Sequence, residues 1–572
     1  MRKYAMKFTA VFLSILLLFS AMHVGVFAAD HAYGPYDYAE YWETSERSAV
    51  KSASMSKLQK GFYNVLNHVA NVLLRMVCAF YPNPSDWKDI DAFDGDGYLP
   101  GRQTYATEAA QTNVWRLGYA SRTIIPDDFE SGKYYIGRDL TRRLAKGIND
   151  DNRVRAVALD DNSGEGIVVF AAVDALGVTS ADTLNVRKTV LAWAENLNIK
   201  VAAVNLSATH SHSAIDAQGV ATESIYKLLT GGLKNAVGIE ESLMLKNAEK
   251  FKSYYVNAVT CAVEDAILSM QPGQLYYGSV DSRDLIEDKR GLIDAAELPD
   301  FAVFKFVPDN GAAGTYIADI ACHPTAFSAD HGLFSGDYIF YLEQRLQEKT
   351  GGNFLFLQGA SGKISRSGNV NTEKLPAQER MGATSRYMGK TFADAILAAE
   401  PSFETLSPVL NVKYTNFTLK PENYILILAV KARLVNNQVY KTGKMPNDIA
   451  IVLEEGYVEL GGRVGLCLFP VELYPEVFLG TQIINGGDYT AVSWDGGDWD
   501  YPAPVDMAPR EGIDMVAVHL TNDSLGYCLP DNNFAFLGHI LGDGIADETL
   551  SLGQHTASQV VTEFQKLMDS IQ

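Results

Sequence analysis

Residues 201–213 read Val-Ala-Ala-Val-Asn-Leu-Ser-Ala-Thr-His-Ser-His-Ser. An apolar run of this length that ends abruptly in polar residues is expected of a strand buried on both faces, with the polar residues carried just past its end. The same grammar recurs along the chain. Gly166–Val173 ends on Asp174, Tyr316–Cys322 runs into His323-Pro324-Thr325, and Phe354–Leu357 runs into Gln358–Ser365. Val464–Phe469 leads to Pro470-Val471-Glu472, and Met515–Leu520 leads to the segment ending in Gly526-Tyr527. Helical patterns lie between these runs, so the expected class is α/β, a large mixed-sheet domain surrounded by helices over residues 101–572. Ligands of such sheets bind beyond the carboxyl ends of strands, which makes these six ends one candidate site.

Outside that domain, residues 1–28 have the form of a secretory signal. Arg2, Lys3 and Lys7 precede an apolar run from Phe8 to Phe19, and Val26-Phe27-Ala28 offers a small-residue cleavage site. Cleavage near Ala28 predicts a secreted, extracellular or cell-envelope protein, with an uncleaved anchor as the alternative. Residues 29–100 are expected to form a linker and an amphipathic helix, in which Leu58, Phe62, Val65, Leu66, Val69, Val72, Leu73 and Met76 recur at helical spacing before Pro82 and Pro84. Docking on the core is the first expectation for this helix, and a membrane-surface position the second. Asp91–Gly97 lacks the spaced glutamate of a calcium loop and is read as a surface turn.

The chain has 572 residues, 48 Lys+Arg against 69 Asp+Glu, and a net charge of −21. Loss of the three basic residues of the signal would take it to −24. Such a balance excludes a sequence-independent nucleic-acid binder, which needs cations to displace counterions from phosphates. It also opposes electrostatic adhesion to anionic membranes, so any membrane contact is expected to be transient and apolar. Five scattered cysteines form neither a disulfide framework nor a CxxC site and are read as small buried hydrophobes.

His210, His212 and His323 directly follow strands, and Glu472 follows another. Two imidazoles and a carboxylate with one open position are what a hydrolytic zinc site requires. His210 and His212 are expected on the same side of an extended segment, one ligating metal and the other moving a proton or holding an oxyanion.

These segments resemble the neutral/alkaline, non-lysosomal ceramidases. Asn205–Ser213 is similar to that family's Ser-Ala-Thr-His-Thr-His-Ser segment. His323-Pro-Thr, with Ser335-Gly-Asp337 twelve residues on, resembles its second metal segment. Gln358–Ser365 resembles its serine loop, while Pro470-Val-Glu472 and Gly526-Tyr527 resemble its last two ligand segments. The resemblance implies Zn2+ held by His210, His323, Glu472 and Tyr527, with His212 assisting proton transfer or stabilising an oxyanion. It places the essential serine at Ser365, either as nucleophile or as the group orienting a substrate hydroxyl.

The chain also departs from the family. The Gly-Pro-Gly-Gly stretch expected after the histidines is replaced by Ala214–Gly219, followed by a helical segment over Ile225–Leu245 read equally as a lid or as packed helices. The serine loop carries Lys363 in place of an acid or amide and Arg366-Ser367 in place of Pro-Asn, and only 45 residues follow Tyr527, so the family's C-terminal β-sandwich is expected to be missing. The implied function is hydrolysis of an N-acyl amide, ceramide or a related lipid or small-molecule amide or ester. A non-catalytic surface-binding protein is the rival from another class.

Overall fold

The computed structural model describes residues 38–44, 57–95, 98–138, 143–221, 243–289, 293, 295–480, 501–534 and 547–571. The signal-like segment, most of the linker before Lys57 and nearly all of the 225–245 segment lie outside these residues.

Two mixed sheets pack face to face, with helices on both outer sides. In the larger sheet the main path is 353–358, 315–320, 301–308, 271–280, 115–123, 153–160, 167–173 and 201–208, with the short strand Glu404–Thr405 paired to Gln271–Val280. Both ends of this sheet are parallel pairs joined through a helix: Ile167–Val173 to Val201–Ala208 through Ser180–Asn196, and Thr315–Ile320 to Asn353–Gln358 through Tyr338–Thr350. The second sheet centres on Ile449–Leu460, paired with Leu410–Leu419 and Val464–Leu468, and Val464–Leu468 in turn pairs in parallel with Asp514–Val518. All six runs read from the sequence form strands at these places.

The continuous apolar runs follow from burial on two faces. In Ile167–Val173, Val168, Phe170 and Ala172 pack between the sheets with Val458, Leu466 and Val518. Val169, Ala171 and Val173 pack outward beneath helices Ser180–Asn196 and Leu243–Leu268. At Gly118 a Cβ would lie 2.0 Å from the Ala266 carbonyl oxygen, so glycine permits the strand and the second of these helices to touch.

A third connection positions the site. The two parallel units stand at opposite ends of the large sheet, yet the chain leaving Asp514–Val518 hydrogen-bonds to both. His519 N donates to Gln358 O (2.9 Å), Ala208 N donates to Leu520 O (3.1 Å) and Asn522 N donates to Leu206 O (2.6 Å). Residues 519–522 thus tie the two sheet edges together and bring the loops after Ala208, Ile320 and Gln358 to one place.

The N-terminal helix spans Lys57–Phe80. Its last turn docks through Cys78, whose Sγ donates to Tyr424 O (3.0 Å) and whose carbonyl accepts from Lys431 Nζ (2.5 Å). All five cysteines are free thiols; four are buried and Cys261 is half-buried. Asp91 lies in a surface turn over Ile90–Ala92.

Candidate metal centre

The strand bearing the first histidines ends at Ala208, and His210 takes a left-handed backbone conformation with φ +65°. This corrects the expectation of one extended segment carrying both histidines. The turn is imposed by the partners of the loop: Thr209 N donates to Val173 O (2.9 Å), Ser211 Oγ to Ser335 O (2.9 Å) and His212 N to Pro324 O (3.4 Å). A non-glycine residue held there by its surroundings is strained, and such strain gathers at functional sites. The rings of His210 and His212 still meet edge to face, with centroids 4.8 Å apart.

His323 arrives from the other end of the sheet. Its N–H donates to Ile364 O (3.1 Å), while Tyr338 OH holds the preceding Cys322 carbonyl at 2.8 Å. Asp337, itself at φ +59°, accepts from Tyr338 N (2.6 Å) and caps the helix that carries Tyr338. Glu472 lies on a two-residue strand parallel to Tyr527-Cys528, and its N–H donates to Gly526 O (2.8 Å). Gly526 has φ +73°, and a Cβ there would meet the Leu550 carbonyl oxygen at 1.9 Å, so only glycine lets this strand approach.

Three buried ligand atoms converge. His210 Nε2 lies 3.1 Å from His323 Nε2, and Glu472 Oε1 lies 3.3 Å and 3.1 Å from these two nitrogens. The ligand atoms of His210, His212 and His323 fall within 4.8 Å of one another. A tetrahedral zinc with ligands at about 2.0 Å has ligand–ligand edges of about 3.3 Å.

The chemistry of the donors fits as well as their spacing. His210 Nδ1 lies 2.7 Å from Leu176 O. A carbonyl only accepts, so neutral His210 carries its proton on Nδ1 and turns a lone pair toward the cluster. Glu472 Oε1 and His212 Nε2 are sealed from solvent and have no hydrogen-bond donor or acceptor among the described residues. Burial alone would lower the His210 imidazolium, but the Glu472 carboxylate outweighs it and raises the group. Burial likewise would raise the Glu472 carboxyl, yet His210 and His323 hold it well below the carboxylate range. The two shifts are one interaction seen from both sides: the Glu472 carboxylate favours a positive charge beside it, which a proton or a metal ion can provide. His323 is lowered by burial, and His212 is pushed well below the usual histidine range by burial and then by His210 and His323.

Tyr527 hydrogen-bonds Glu472 through its hydroxyl, which burial and then the nearby carboxylates hold well above the usual phenol range. Its ring lies beneath Lys363, with Nζ 5.3 Å from the centroid. Lys363 is paired in turn with Asp547 (2.6 Å), which also accepts from Tyr474 OH. Ser365 is buried on the short strand Ile364–Arg366 and stands one residue beyond the carbonyl that His323 N–H binds. Asp174, at the end of its strand, turns to Arg155 and takes a supporting place outside the cluster.

His519 is inconspicuous in the sequence because it lies inside the apolar run Met515–Leu520. It carries the same signal as His210 and His323, a histidine at the end of a buried strand. Its Nδ1 accepts from Leu473 N–H (3.0 Å), which puts its own proton on Nε2, 3.5 Å from Ser361 Oγ. Burial pushes its imidazolium down to about 3, so it is a neutral support beside Glu472. Asp547 and the Leu176 carbonyl had no such signal, being brought in by the fold alone.

No protein-family model matches the chain. Over 239 residues it is 25% identical to the neutral ceramidase of Pseudomonas aeruginosa, an alignment covering 38% of this chain and a third (33%) of that relative's length. The crystal structure of the neutral ceramidase from Pseudomonas aeruginosa superposes with a TM-score of 0.57 at 16% identity, covering 81% of this chain and 75% of that one. A solved ceramidase complexed with C2 gives 0.56 at 16% identity, covering 80% and 75%. The chain is a sequence relative of neutral ceramidase and has the fold of these structures.

Proposed function

We propose that this protein is an exported zinc-dependent amidohydrolase that cleaves an N-acyl amide, with ceramide as the model substrate. The observation that carries the reading is the convergence of His210 Nε2, His323 Nε2 and Glu472 Oε1 within 3.3 Å of one another, with Nδ1 of His210 fixed on Leu176 O. Tyr527 stands beside Glu472 as the fourth candidate ligand. Zinc held by this set supplies a Lewis acid for the acyl oxygen and for an attacking oxygen nucleophile.

The remaining steps belong to the chain's own residues. His212, neutral and with an unpartnered Nε2, accepts the proton of the attacking oxygen and returns it to the departing amine. Ser365 provides either that oxygen or the hydrogen bond that orients a substrate hydroxyl. His519 and the Gly526 carbonyl fix the backbone on each side of Glu472, so the carboxylate keeps its aim.

One observation favours a substrate other than ceramide. Lys363, paired with Asp547, sets its ammonium over the ring of Tyr527, a polar group that suits an amide or ester whose head group is polar or charged. Protein purified without chelator should hold about one zinc per chain, as a site with this donor set does. It should also release fatty acid from ceramide or from another member of a panel of acyl amides, stop on chelation and recover with zinc. Protein that neither holds nor takes up zinc would overturn the reading, and would favour a surface-binding protein that has kept the fold without the chemistry.

A further inference from the structure

Helix Lys57–Phe80 exposes more apolar surface than a helix that merely docks on a core. Val65, Val69, Val72, Leu73, Met76 and Phe80 are all exposed, Val65 to 64% and Phe80 to 86%. At about 100° per residue these six positions fall in one sector about 100° wide. The side turned toward the body is a second one, where Leu66, Asn67, Ala70, Asn71, Leu74 and Val77 are half-buried and Asn71 donates to Asn67 (2.9 Å). Its last turns are anchored through Cys78 and through Asn447 Nδ2, which donates to Arg75 O (3.2 Å). One side of the helix therefore faces the body from Leu66 to Cys78, and the exposed apolar stripe lies outside that contact.

We infer that this apolar stripe docks on the surface of a lipid bilayer, the helix lying in the plane of the interface. Charge selects that occupant. The chain contains 69 carboxylate residues, yet the 24 residues of this helix include none, while they include Lys57, Lys60 and Arg75. Exposed Arg75 and His68 border the stripe on one side, where polar tips can reach the head groups while the valines and Phe80 enter the acyl boundary. A second copy of the chain is the poorer fit, because each copy brings a net charge of −21 to the contact. The same charge disfavours strongly anionic membranes, so zwitterionic lipid is the expected surface. Among the described residues no helix is long and apolar enough to cross a membrane, which leaves the interface as the place for this one. The inference goes beyond the proposed chemistry and does not depend on it.

The test is co-sedimentation of the full chain with phosphatidylcholine vesicles, beside a Val69→Asp/Leu73→Asp double variant and a Phe80→Asp variant. Both should lose vesicle binding, the double variant by about tenfold or more, while their thermal unfolding stays that of the wild type. A Val69→Trp variant should show a blue-shifted emission on adding vesicles and protection from an aqueous quencher. Equal binding by wild type and double variant would overturn the inference and point to another segment, such as residues 8–19. So would absence of binding, or sedimentation velocity showing that the stripe pairs two copies and that the aspartates restore a monomer. Hydrolysis of a soluble short-chain acyl amide reports on the metal centre separately, so failure of one idea is distinguishable from failure of the other.

Discussion

Two buried charged clusters stand on opposite terms with the protein around them. At Arg187–Glu454 the guanidinium meets both carboxylate oxygens at 2.9 and 2.7 Å, Arg187 Nε donates to Val204 O, and Asn522 adds a further donor to Glu454. Every charge there is answered by the chain itself. At His210–His323–Glu472 the carboxylate faces two imidazole nitrogens, and Glu472 Oε1 has no hydrogen-bond partner among the described residues. Taking a carboxylate out of water costs several kcal/mol unless charge and hydrogen bonds compensate it. The first cluster is complete as a structural device, and the second depends on a positive charge that a proton or a metal ion can bring. An ion pair of this kind holds a fold together, whereas a set of converging lone pairs is kept for what it binds.

The sharpest way to break the contrast is to remove the carboxylate of the open cluster. Glu472→Gln should abolish stoichiometric zinc and lower hydrolysis by about a thousandfold or more, equivalent to about 4 kcal/mol of transition-state stabilisation. Its unfolding midpoint in the metal-free state should fall, since the fold holds this carboxylate well below its ordinary range and a neutral amide gives up that contribution. Zinc content by elemental analysis and urea unfolding of the chelated protein check both halves. A variant that loses stability and keeps its metal would put Glu472 in the structural class.

Arg187→Met should do the reverse. With Glu454 left charged and buried, unfolding free energy should fall by about 3–5 kcal/mol, while zinc content and turnover per folded molecule are retained. Adding Glu454→Leu should recover most of the loss, because neither charge then remains to be desolvated. A double variant as unstable as the single one would show that the pair is worth more than its own desolvation and would blur the distinction drawn here.

Much of this was visible in the primary structure. The six apolar runs became strands because each is covered on both faces, and a buried face leaves its mark on every residue of a run. His210, His323 and Glu472 were legible because a residue at the end of a buried strand has one direction in which to point. What brings them together was not legible: the suture at residues 519–522 consists of backbone hydrogen bonds to edges more than 150 residues away, and backbone groups carry no sequence signal. The left-handed turn at His210 was missed for the same reason, since it is imposed by Val173, Pro324 and Ser335 and not by the residue itself. In the N-terminal helix periodicity gave the element and its apolar stripe correctly, but a stripe alone cannot say whether a core or a membrane covers it.

A third buried carboxylate lies between the two extremes and gives the smallest test. Asp150 has no ion-pair partner among the described residues, only donors: Ser335 Oγ at 2.5 Å, Gly336 N at 2.6 Å and Asn149 Nδ2 at 2.7 Å. Burial outweighs these donors and pushes its carboxyl from an ordinary 3.8 up to about 7. Between those values the folded chain holds a proton that the unfolded chain has released, so the contribution is fully present below the lower value and is lost as pH rises through the upper one. Asp150→Asn keeps the neutral state at every pH and should remove this part of the pH dependence. Measured by urea unfolding in the chelated protein, the variant should gain stability relative to the wild type as pH rises from 5 to 8. A constant difference between the two would mean that three donors suffice to keep a buried carboxylate ionised, and the line between complete and incomplete clusters would then run through hydrogen bonds and not through charge.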